Sequence, residues 1–447
     1  MRPDMMVHMV VRTTFGALLL LAGQQALAQD SQRELARTVL KELVEINTTD
    51  SSGDNTAAAQ AVARRLRSEG FAAEDVTVVV PAEKKGNLVV RFRGTGKARP
   101  LLFLAHLDVV EAERSDWSMD PFQLAERDGY FYGRGTQDIK GDAALLVANL
   151  IRLKREGFKP ERDIIVALTA DEEGGRGPNG VEWLLHNRRE LIDAEFCVNT
   201  DAGGGQAQDG RRILYSVQAA EKGYLSFVLA AKNAGGHSSL PRGENAIYEL
   251  AAALLRVKAL EFPVELNEVT RSYFEKKAKI PGAPTEAVYE NAQRRTTCVA
   301  TMLSGGHADN ALPQTAEATV NCRVLPGGTQ ADVQERLQKA VGPGIEVRVK
   351  IPLQPNPASP PPPALMARVE KVVHSMWPGL VVLPVMETGG TDGKPLRGAG
   401  IPVYGIAQMF YDLDDIRAHG KDERIRTAYY YDGLEFGYRL MKELSGR

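Results

Sequence analysis

The sequence predicts an α/β fold, in which a mostly parallel sheet has helices on both faces and is interrupted by an inserted α+β domain. Short runs such as "NLVVRF", "LLFLAH" and "DIIVALTA" are apolar along nearly their whole length, which is typical of strands covered on both faces. Helical patterns alternate with these runs, as in a parallel sheet with crossover helices. After about Ala219 the pattern changes, and "GYLSFVLAAK" alternates like a half-buried strand. This change indicates the inserted domain.

The main domain is predicted to span residues 29–219 and 331–447. It begins with a helix from about Ser31, because apolar residues recur there at helical spacing. The other predicted elements of this domain are, in order, a helix at 55–69, "DVTVVV", "NLVVRF", "LLFLAH", a helix at 141–156, "DIIVALTA", a helix at 178–190, "FCVNT", a helix at 331–341, "GIEVRVKI", a helix at 365–376, "IPVYGI" and a helix ending near Leu444. The proline-rich run 354–363 cannot pair in a sheet, so we expect an exposed connection there.

The inserted domain is predicted to span residues 220–330. It combines the alternating strand "GYLSFVLAAK" with a helix at about 244–260 and strands at about 297–303 and 315–324. A helix among strands of the antiparallel type predicts a separate α+β layer.

Residues 1–28 have the pattern of a secretory signal. Arg2 and Arg12 precede the apolar run "FGALLLLAG", and "ALA" ending at Ala28 offers a cleavage site. The apolar run is too short to span a bilayer. We therefore expect cleavage near Ala28 and a secreted or periplasmic protein with no membrane segment in its mature form. An uncleaved N-terminal anchor is the alternative.

Composition and charge exclude some classes of partner. The formal net charge is −2 and there is no basic run, so we expect no nucleic-acid partner. The three cysteines, Cys197, Cys298 and Cys322, fit no zinc-binding spacing. Buried free thiols are the favoured interpretation, and a bridge between Cys298 and Cys322 is the alternative.

Metal-binding residue types end three of the apolar runs, "FLAHLD", "ALTADEE" and "CVNTD". Because sites in open α/β sheets form at the carboxyl ends of strands, we expect these side chains to converge. The loops "GRGTQDIKGD" and "AHGKDERI" each add one more residue of these types, Asp138 and His419 respectively. The complete set is His106, Asp108, Asp138, Glu172, Glu173, Asp201 and His419. Imidazoles and carboxylates together suit a pair of zinc or similar divalent ions.

The order of these motifs resembles the M20 family of metallopeptidases, the group of carboxypeptidase G2, aminoacylase-1 and related dipeptidases. The resemblance covers nearly the whole mature chain. The motifs that carry it are "HLDVV", "WSMDPF", "GRGTQDIKG", "TADEEGG", "NTDAGG", "GGHSS", "ETGGTDG" and "HGKDERI". It implies a dizinc catalytic domain interrupted by a lid or dimerisation domain.

The resemblance also implies a role for each member of the set. Asp138 would bridge two metal ions, with zinc expected first and cobalt or manganese as alternatives. His106 and Asp201 would complete one metal site, and Glu173 and His419 the other. Two neighbouring cations need a shared carboxylate to offset their repulsion, and they can lower the pKa of a bridging water. Glu172 would be the general base that takes the proton of this water.

Further roles are assigned outside the ligand set. Asp108 would hold the ring of His106 in the tautomer that ligates, as carboxylates beside metal-bound histidines do. His237, in "GGHSS", would stabilise the oxyanion, which in resembling enzymes it often does from the partner subunit of a dimer.

Four residues match positions that resemble substrate-contacting ones. Arg323 would hold a substrate carboxylate with two parallel hydrogen bonds, and Asn310 would also contact the substrate. Gly390 and Thr391 offer backbone N–H groups to the same carboxylate. A strand whose arginine faces solvent is the alternative interpretation for Arg323.

The predicted function is an exported dizinc hydrolase that cleaves a peptide or amide bond next to a free carboxylate, of the dipeptidase or carboxypeptidase type. The substrate would be a small peptide or an N-acyl amino acid. An N-acyl amino acid deacylase that uses the same site is the first alternative, and a non-catalytic periplasmic binding protein is the second. The inserted domain is the expected interface of a homodimer, with a monomer as the alternative.

Overall fold

The computed structural model describes residues 29–174, 177–283 and 285–446. The predicted signal segment, residues 1–28, lies outside this part of the chain. These described residues divide into two compact units, of which the first lies within residues 29–180 and 408–446 and the second within residues 181–407. No helix among the described residues is both long enough and apolar enough to cross a membrane.

The secondary structure is numbered here in chain order. The α-helices are α1 (residues 29–45), α2 (Asn55–Ser68), α3 (Lys140–Arg155), α4 (Gly180–Asn187), α5 (Ala246–Ala259), α6 (Glu268–Lys277), α7 (Ala287–Arg294), α8 (Gln330–Val341), α9 (Pro363–Met376), α10 (Gly393–Gly398) and α11 (Thr427–Ser445). The strands are β1 (Val76–Val79), β2 (Asn87–Phe92), β3 (Leu101–His106), β4 (Ala125–Arg127), β5 (Tyr130–Tyr132), β6 (Ile164–Thr169), β7 (Phe196–Asn199), β8 (Gly204–Gln208), β9 (Arg211–Glu221), β10 (Gly223–Lys232), β11 (Gly236–His237), β12 (Thr297–Gly305), β13 (Ala311–Leu312), β14 (Thr315–Val324), β15 (Ile345–Ile351), β16 (Val381–Glu387), β17 (Val403–Gly405), β18 (Phe410–Asp412) and β19 (Arg424–Arg426).

The sheet of the first unit has the strand order β1-β2-β6-β3. β3 and β6 are parallel, whereas β1 and β2 join as antiparallel strands. β3 and β6 are buried at every residue, as their apolar sequences predict. Helix α3 is buried along most of its length and packs against β3 and α11. The buried β3 ends at His106, so the sheet itself delivers this side chain to the strand ends.

The second unit contains more strands than the sequence patterns predict. β17 runs parallel to β7, and β16 runs parallel to β9. β9 and β16 were not predicted. Pro384 lies inside β16, and a proline argues against a central strand. Among the described residues β16 pairs only with β9, so the missing N–H of Pro384 is tolerated. The predicted α/β fold, with a mixed but mostly parallel central sheet, is confirmed.

A four-stranded antiparallel sheet, in the order β12-β14-β10-β15, forms its own layer in the second unit. Residues of α5 and α8 share one apolar core with this sheet. The predicted inserted domain ended at residue 330, but α8 and β15 lie beyond it. Since β15 pairs with β10, the layer extends to Ile351 and the predicted boundary is too early.

Cys298 and Cys322 form a disulfide between β12 and β14. They lie directly opposite each other in the antiparallel register, with Cα atoms 4.1 Å apart. The favoured interpretation of three buried free thiols is therefore wrong for these two. Cys197 is free and buried. The pairing depends on strand register, which the cysteine spacing alone does not reveal.

Candidate metal centre

His106 ends β3 with its imidazole almost completely buried. Its Nδ1 lies 3.0 Å from the backbone carbonyl oxygen of Asp108. A carbonyl only accepts, so Nδ1 donates to it, and Nε2 is the nitrogen that can ligate a metal ion. Nε2 lies 3.2 Å from Asp138 Oδ1. The ring therefore presents its ligating nitrogen toward a carboxylate.

Asp138, Glu173 and His419 come together in the first unit. Each offers one ligand atom, and these atoms all lie within 4.8 Å of one another. His419 Nε2 is 3.1 Å from Asp138 Oδ2 and 3.0 Å from Glu173 Oε2. Three of the five predicted ligands thus surround one small volume, and His106 borders it through Asp138.

The carboxylates of this cluster favour a positive charge beside them. The hydrogen bond to Asp138 raises the pKa of His419 to about 9, against the opposing effect of partial burial. Burial raises the pKa of Glu173 to about 7, and the charge of Asp138 acts in the same direction. Burial would also raise the pKa of Asp138, but hydrogen bonds from His106 and His419 outweigh it and hold that pKa well below its usual range. Carboxylates so close together repel each other, and a cation between them would relieve this repulsion.

The carboxylate of Asp108 has a different role from the predicted one. Its oxygens accept the backbone N–H groups of Glu172 at 3.3 Å and of Glu173 at 3.0 Å. Its Oδ1 is 3.7 Å from His106 Nδ1, which is too long for a hydrogen bond. Asp108 therefore orients His106 through its main-chain carbonyl, and its side chain fixes the turn that carries the two glutamates. Burial raises the pKa of Asp108, and these N–H donors and the charge of His106 oppose the rise.

Glu423 is a residue of the site that the sequence analysis missed. It is completely buried, and its Oε2 accepts from Arg134 Nη1 at 2.7 Å and from the N–H of Gly135 at 3.0 Å. Its Oε1 accepts from the N–H of Gln137 at 2.7 Å and from that of Asp138 at 3.1 Å. Because His419 belongs to the same loop as Glu423, this carboxylate holds the loops of two predicted ligands together.

The motif "HGKDERI" contains Glu423, but acidic and basic neighbours in a loop usually indicate a solvated surface. The signal that could have found it lies in the other loop. "GRGTQD" has glycines that force a tight path, and Gly135 has φ +91°. A tight loop exposes several N–H groups, which need a buried acceptor.

The other predicted site residues lie in the second unit. Asp201 follows β7, and its N–H donates to Asn199 Oδ1 at 3.3 Å. His237 is exposed on β11, where Ser239 Oγ lies 2.8 Å from its Nδ1. Asn310 is exposed in the loop before β13, and its carbonyl accepts the N–H of Ser238 at 3.0 Å.

Arg323 lies on β14 with its guanidinium 4.7 Å from the centre of the Tyr224 ring. It is partly buried. Burial lowers the pKa of its guanidinium, and the interaction with Tyr224 acts in the opposite direction. The interpretation of a fully solvated arginine does not fit this burial. Stacked on an aromatic face, the guanidinium still has an edge for a carboxylate.

Gly390 and Thr391 lie in the loop before α10. Gly390 is exposed, whereas the hydroxyl of Thr391 is enclosed by hydrogen bonds. It donates to Glu221 Oε2 at 3.1 Å and accepts from Asn199 Nδ2 at 3.1 Å and from the N–H of Gly393 at 3.0 Å. This hydroxyl shapes the loop and is not directed at a ligand.

The donor set of the first unit fits divalent metal ions. It combines imidazole nitrogens with carboxylate oxygens, which is the ligand chemistry of zinc and of similar borderline cations. The carboxylates of the cluster favour the positively charged form of His419. A divalent metal ion in the same place would supply more positive charge than this imidazolium.

The sequence of this chain is similar to those of known hydrolases. The model of peptidase family M20/M25/M40 matches residues 102–443. The human N-fatty-acyl-amino acid synthase/hydrolase PM20D1 is 29% identical over 374 residues, covering 77% of this chain and 74% of its own. "Probable carboxypeptidase S-like 2" of Dictyostelium discoideum is 28% identical over 397 residues, covering 80% of this chain and 74% of its own.

Among solved structures, the M20 family metallo-carboxypeptidase Sso-CP2 from Sulfolobus solfataricus superimposes with a TM-score of 0.69 at 16% identity, covering 91% of this chain and 98% of that one. At this identity the likeness concerns the fold. The family model, in contrast, matches residues 102–443, which is most of the sequence. The chain therefore belongs to peptidase family M20/M25/M40, and it is a hydrolase that acts on peptide or amide bonds.

Proposed function

We propose that this protein is an exported dinuclear metallohydrolase that cleaves an amide bond next to a free carboxylate. The observation that carries the proposal is the cluster of Asp138, Glu173 and His419, whose ligand atoms lie within 4.8 Å of one another. The family is metal-dependent and dinuclear. Because the chain is a hydrolase, the alternative of a non-catalytic binding protein is excluded.

His106, Asp138 and Asp201 would hold one ion, and Asp138, Glu173 and His419 the other. When bound, a pair of divalent ions supplies Lewis-acid polarisation of the scissile carbonyl and lowers the pKa of a water molecule. Zinc suits these ligands best, with cobalt and manganese as alternatives.

Glu172 is the general base of the proposal. Its N–H and that of Glu173 are held by the two oxygens of Asp108, so the backbone of this pair is fixed. Neighbouring side chains leave the backbone in different directions, and Glu173 can ligate while Glu172 accepts a proton from the attacking water. Glu172 then returns this proton to the leaving amine. His237 would donate a hydrogen bond to the oxyanion.

The test of the base is Glu172→Gln, which keeps the size of the side chain but removes its proton affinity. We expect normal metal content and a loss of turnover of roughly 100- to 10,000-fold. Metal analysis and a hydrolysis assay on the same preparation measure both quantities. A metal-loaded variant with near-normal turnover would remove Glu172 from this role.

The acyl group of the substrate divides the two candidate activities. A dipeptidase or carboxypeptidase accepts an aminoacyl group, whereas a deacylase accepts a simple acyl chain. The likeness to PM20D1 at 29% identity favours the deacylase as the second candidate. Rates with Ala-Leu, N-acetyl-leucine and N-lauroyl-leucine, each with added zinc, cobalt or manganese, decide between them.

Arg323, with Asn310 and the backbone of Gly390 and Thr391, would bind the carboxylate shared by all these substrates. Arg323→Lys keeps the charge but loses the paired hydrogen bonds. We expect it to raise KM more than it lowers kcat. An unchanged KM would show that another group binds the carboxylate.

Export is proposed from the signal pattern of residues 1–28 and is supported by the disulfide between Cys298 and Cys322. Disulfides form and persist in oxidising compartments. Mass spectrometry of the protein from the periplasm or medium should find a mature N-terminus directly after Ala28. A chain that keeps residues 1–28 would support the uncleaved anchor instead.

A homodimer through the four-stranded layer is proposed from the exposure of β12. This edge strand is exposed over most of its length, and Val299, Met302 and Leu303 are each more than half exposed. An exposed apolar edge is a surface for pairing with another strand. Sedimentation should find a dimer in the parent protein and a monomer in Met302→Lys; a monomeric parent would contradict the proposal.

A further inference from the structure

Asp171, directly before the proposed base, has an unusual backbone conformation in a buried position. Its φ is +64°, in the left-handed region that residues with side chains rarely adopt. Its side chain is 2% exposed, and Oδ1 accepts a hydrogen bond from Lys85 Nζ at 2.5 Å. Such a conformation persists only where the surroundings enforce it. Lys85 is the charged group that contacts its side chain.

Lys85 comes from the turn before β2 and is itself largely buried, with 11% of its side chain exposed. Its Nζ also donates to Asp50 Oδ1 at 2.8 Å. One ammonium group therefore pairs with two carboxylates from distant parts of the chain. Loss of the ammonium would leave Asp171 as a buried charge without compensation.

The carboxylate of Asp171 has little room to move. Its Oδ2 is buried and has no hydrogen-bond partner among the described residues. A Cβ atom added to Gly177 would lie only 2.3 Å from this oxygen, so the chain closes tightly over it. Asp171 could reach water only if the surrounding chain moved, and Glu172 would move with it.

The turn that carries the glutamates is thus held from two sides. Asp108 accepts the N–H groups of Glu172 and Glu173, and Lys85 anchors Asp171. We propose that Lys85 is a positioning residue for Glu172, acting through the buried carboxylate of Asp171. This inference rests on the proposed role of Glu172 as the base.

The test compares Lys85→Met with Lys277→Met in the metal-loaded, full-length protein. Lys277 makes a similarly buried ion pair, 3.0 Å from Glu290 with 8% of its side chain exposed. We expect Lys85→Met to lower kcat roughly 100-fold, because a small misplacement of a reacting group is costly. KM should change much less, and Lys85→Arg should recover part of kcat. Lys277→Met should keep the kcat of the parent.

A second measurement does not depend on turnover. Hydrogen exchange of the amides of Glu172 and Glu173 should become roughly tenfold faster in Lys85→Met, as expected for local loosening, and should not change in Lys277→Met. If Lys85→Met does not fold, Lys85→Met with Asp171→Asn removes both charges. This double variant should fold and still have the lowered kcat.

The outcomes separate this inference from the proposed function. If Glu172→Gln is inactive but Lys85→Met has the kcat and the exchange of Lys277→Met, Lys85 is not a positioning residue and the proposed base stands. If metal-loaded Glu172→Gln remains active, the proposed base is wrong. Exchange at Glu172 and Glu173 then decides alone whether Lys85 holds the turn, and unchanged exchange overturns the inference.

Discussion

Replacing Glu423 by glutamine tests whether this buried carboxylate holds the loops of the metal centre together. Oε1 accepts two backbone N–H groups, and Oε2 accepts one N–H group and the guanidinium of Arg134. A glutamine side chain has the same shape but one amide nitrogen in place of an oxygen. In either orientation, this nitrogen faces two donors.

The expected loss of stability follows from the burial of Glu423 and of Arg134. The side chains of Glu423 and Arg134 are 0% and 3% exposed, and breaking one partner of a buried ion pair costs roughly 3–5 kcal/mol. Each N–H group left without an acceptor costs about 1–3 kcal/mol, but these contributions overlap with the first. We therefore expect Glu423→Gln to lower the free energy of unfolding by about 4 kcal/mol.

The assay is thermal unfolding of the metal-free parent and variant. For a unit of this size, about 4 kcal/mol corresponds to a drop in Tm of roughly 10 °C. Glu126→Gln is the matched control, because it breaks a surface ion pair with Arg37 at 3.1 Å in which both side chains are more than a third exposed. It should change stability by less than about 1 kcal/mol. A Glu423→Gln variant that melts like this control would refute the reasoning.

Three further predictions concern other groups. Burial raises the pKa of Asp142 to about 7, so its carboxyl stays protonated in the folded state while the unfolded chain ionises; stability is lost as pH rises from about 4 to about 7. The side chain of the Asp142→Asn variant is neutral at every pH. Its free energy of unfolding, measured by urea titration, should therefore rise by about 3 kcal/mol relative to that of the parent between pH 5 and pH 8. A difference between the two proteins that does not change with pH would contradict this. Cys298→Ala with Cys322→Ala removes a crosslink with a sequence separation of 24 and should cost about 3 kcal/mol relative to the oxidised parent. Relative to the reduced parent, this difference should vanish. Asp138→Asn should reduce bound zinc from two ions to one or none by metal analysis, and a variant that keeps two would show that this carboxylate is not the shared ligand.

Patterns with a local cause were predicted correctly from the sequence. The apolar runs of β3 and β6 indicated buried parallel strands, and both are buried throughout. The helix beginning near residue 141 was placed within one residue of α3. Periodicity and burial are properties of neighbouring residues, so they can be read without the partner elements.

The strand β16 shows where local pattern fails. Its proline argues against a central position in a sheet, and the strand tolerates it because, among the described residues, β16 pairs with β9 alone. The disulfide has the same origin, because the register of β12 against β14 brings Cys298 opposite Cys322. Register is a relation between two distant segments and leaves no mark on either alone.

By itself, the sequence determined which residue types end the strands and loops of the site, and therefore its metal chemistry. Only the tertiary structure decided what holds those residues in place. Glu423 reaches the loop of Asp138 across 285 residues, and Lys85 reaches Asp171 across 86. Asp108 uses its carbonyl for His106 and its carboxylate for the glutamate turn. Ligand chemistry depends on the identity of a side chain, whereas its orientation depends on buried partners that chain folding alone brings near.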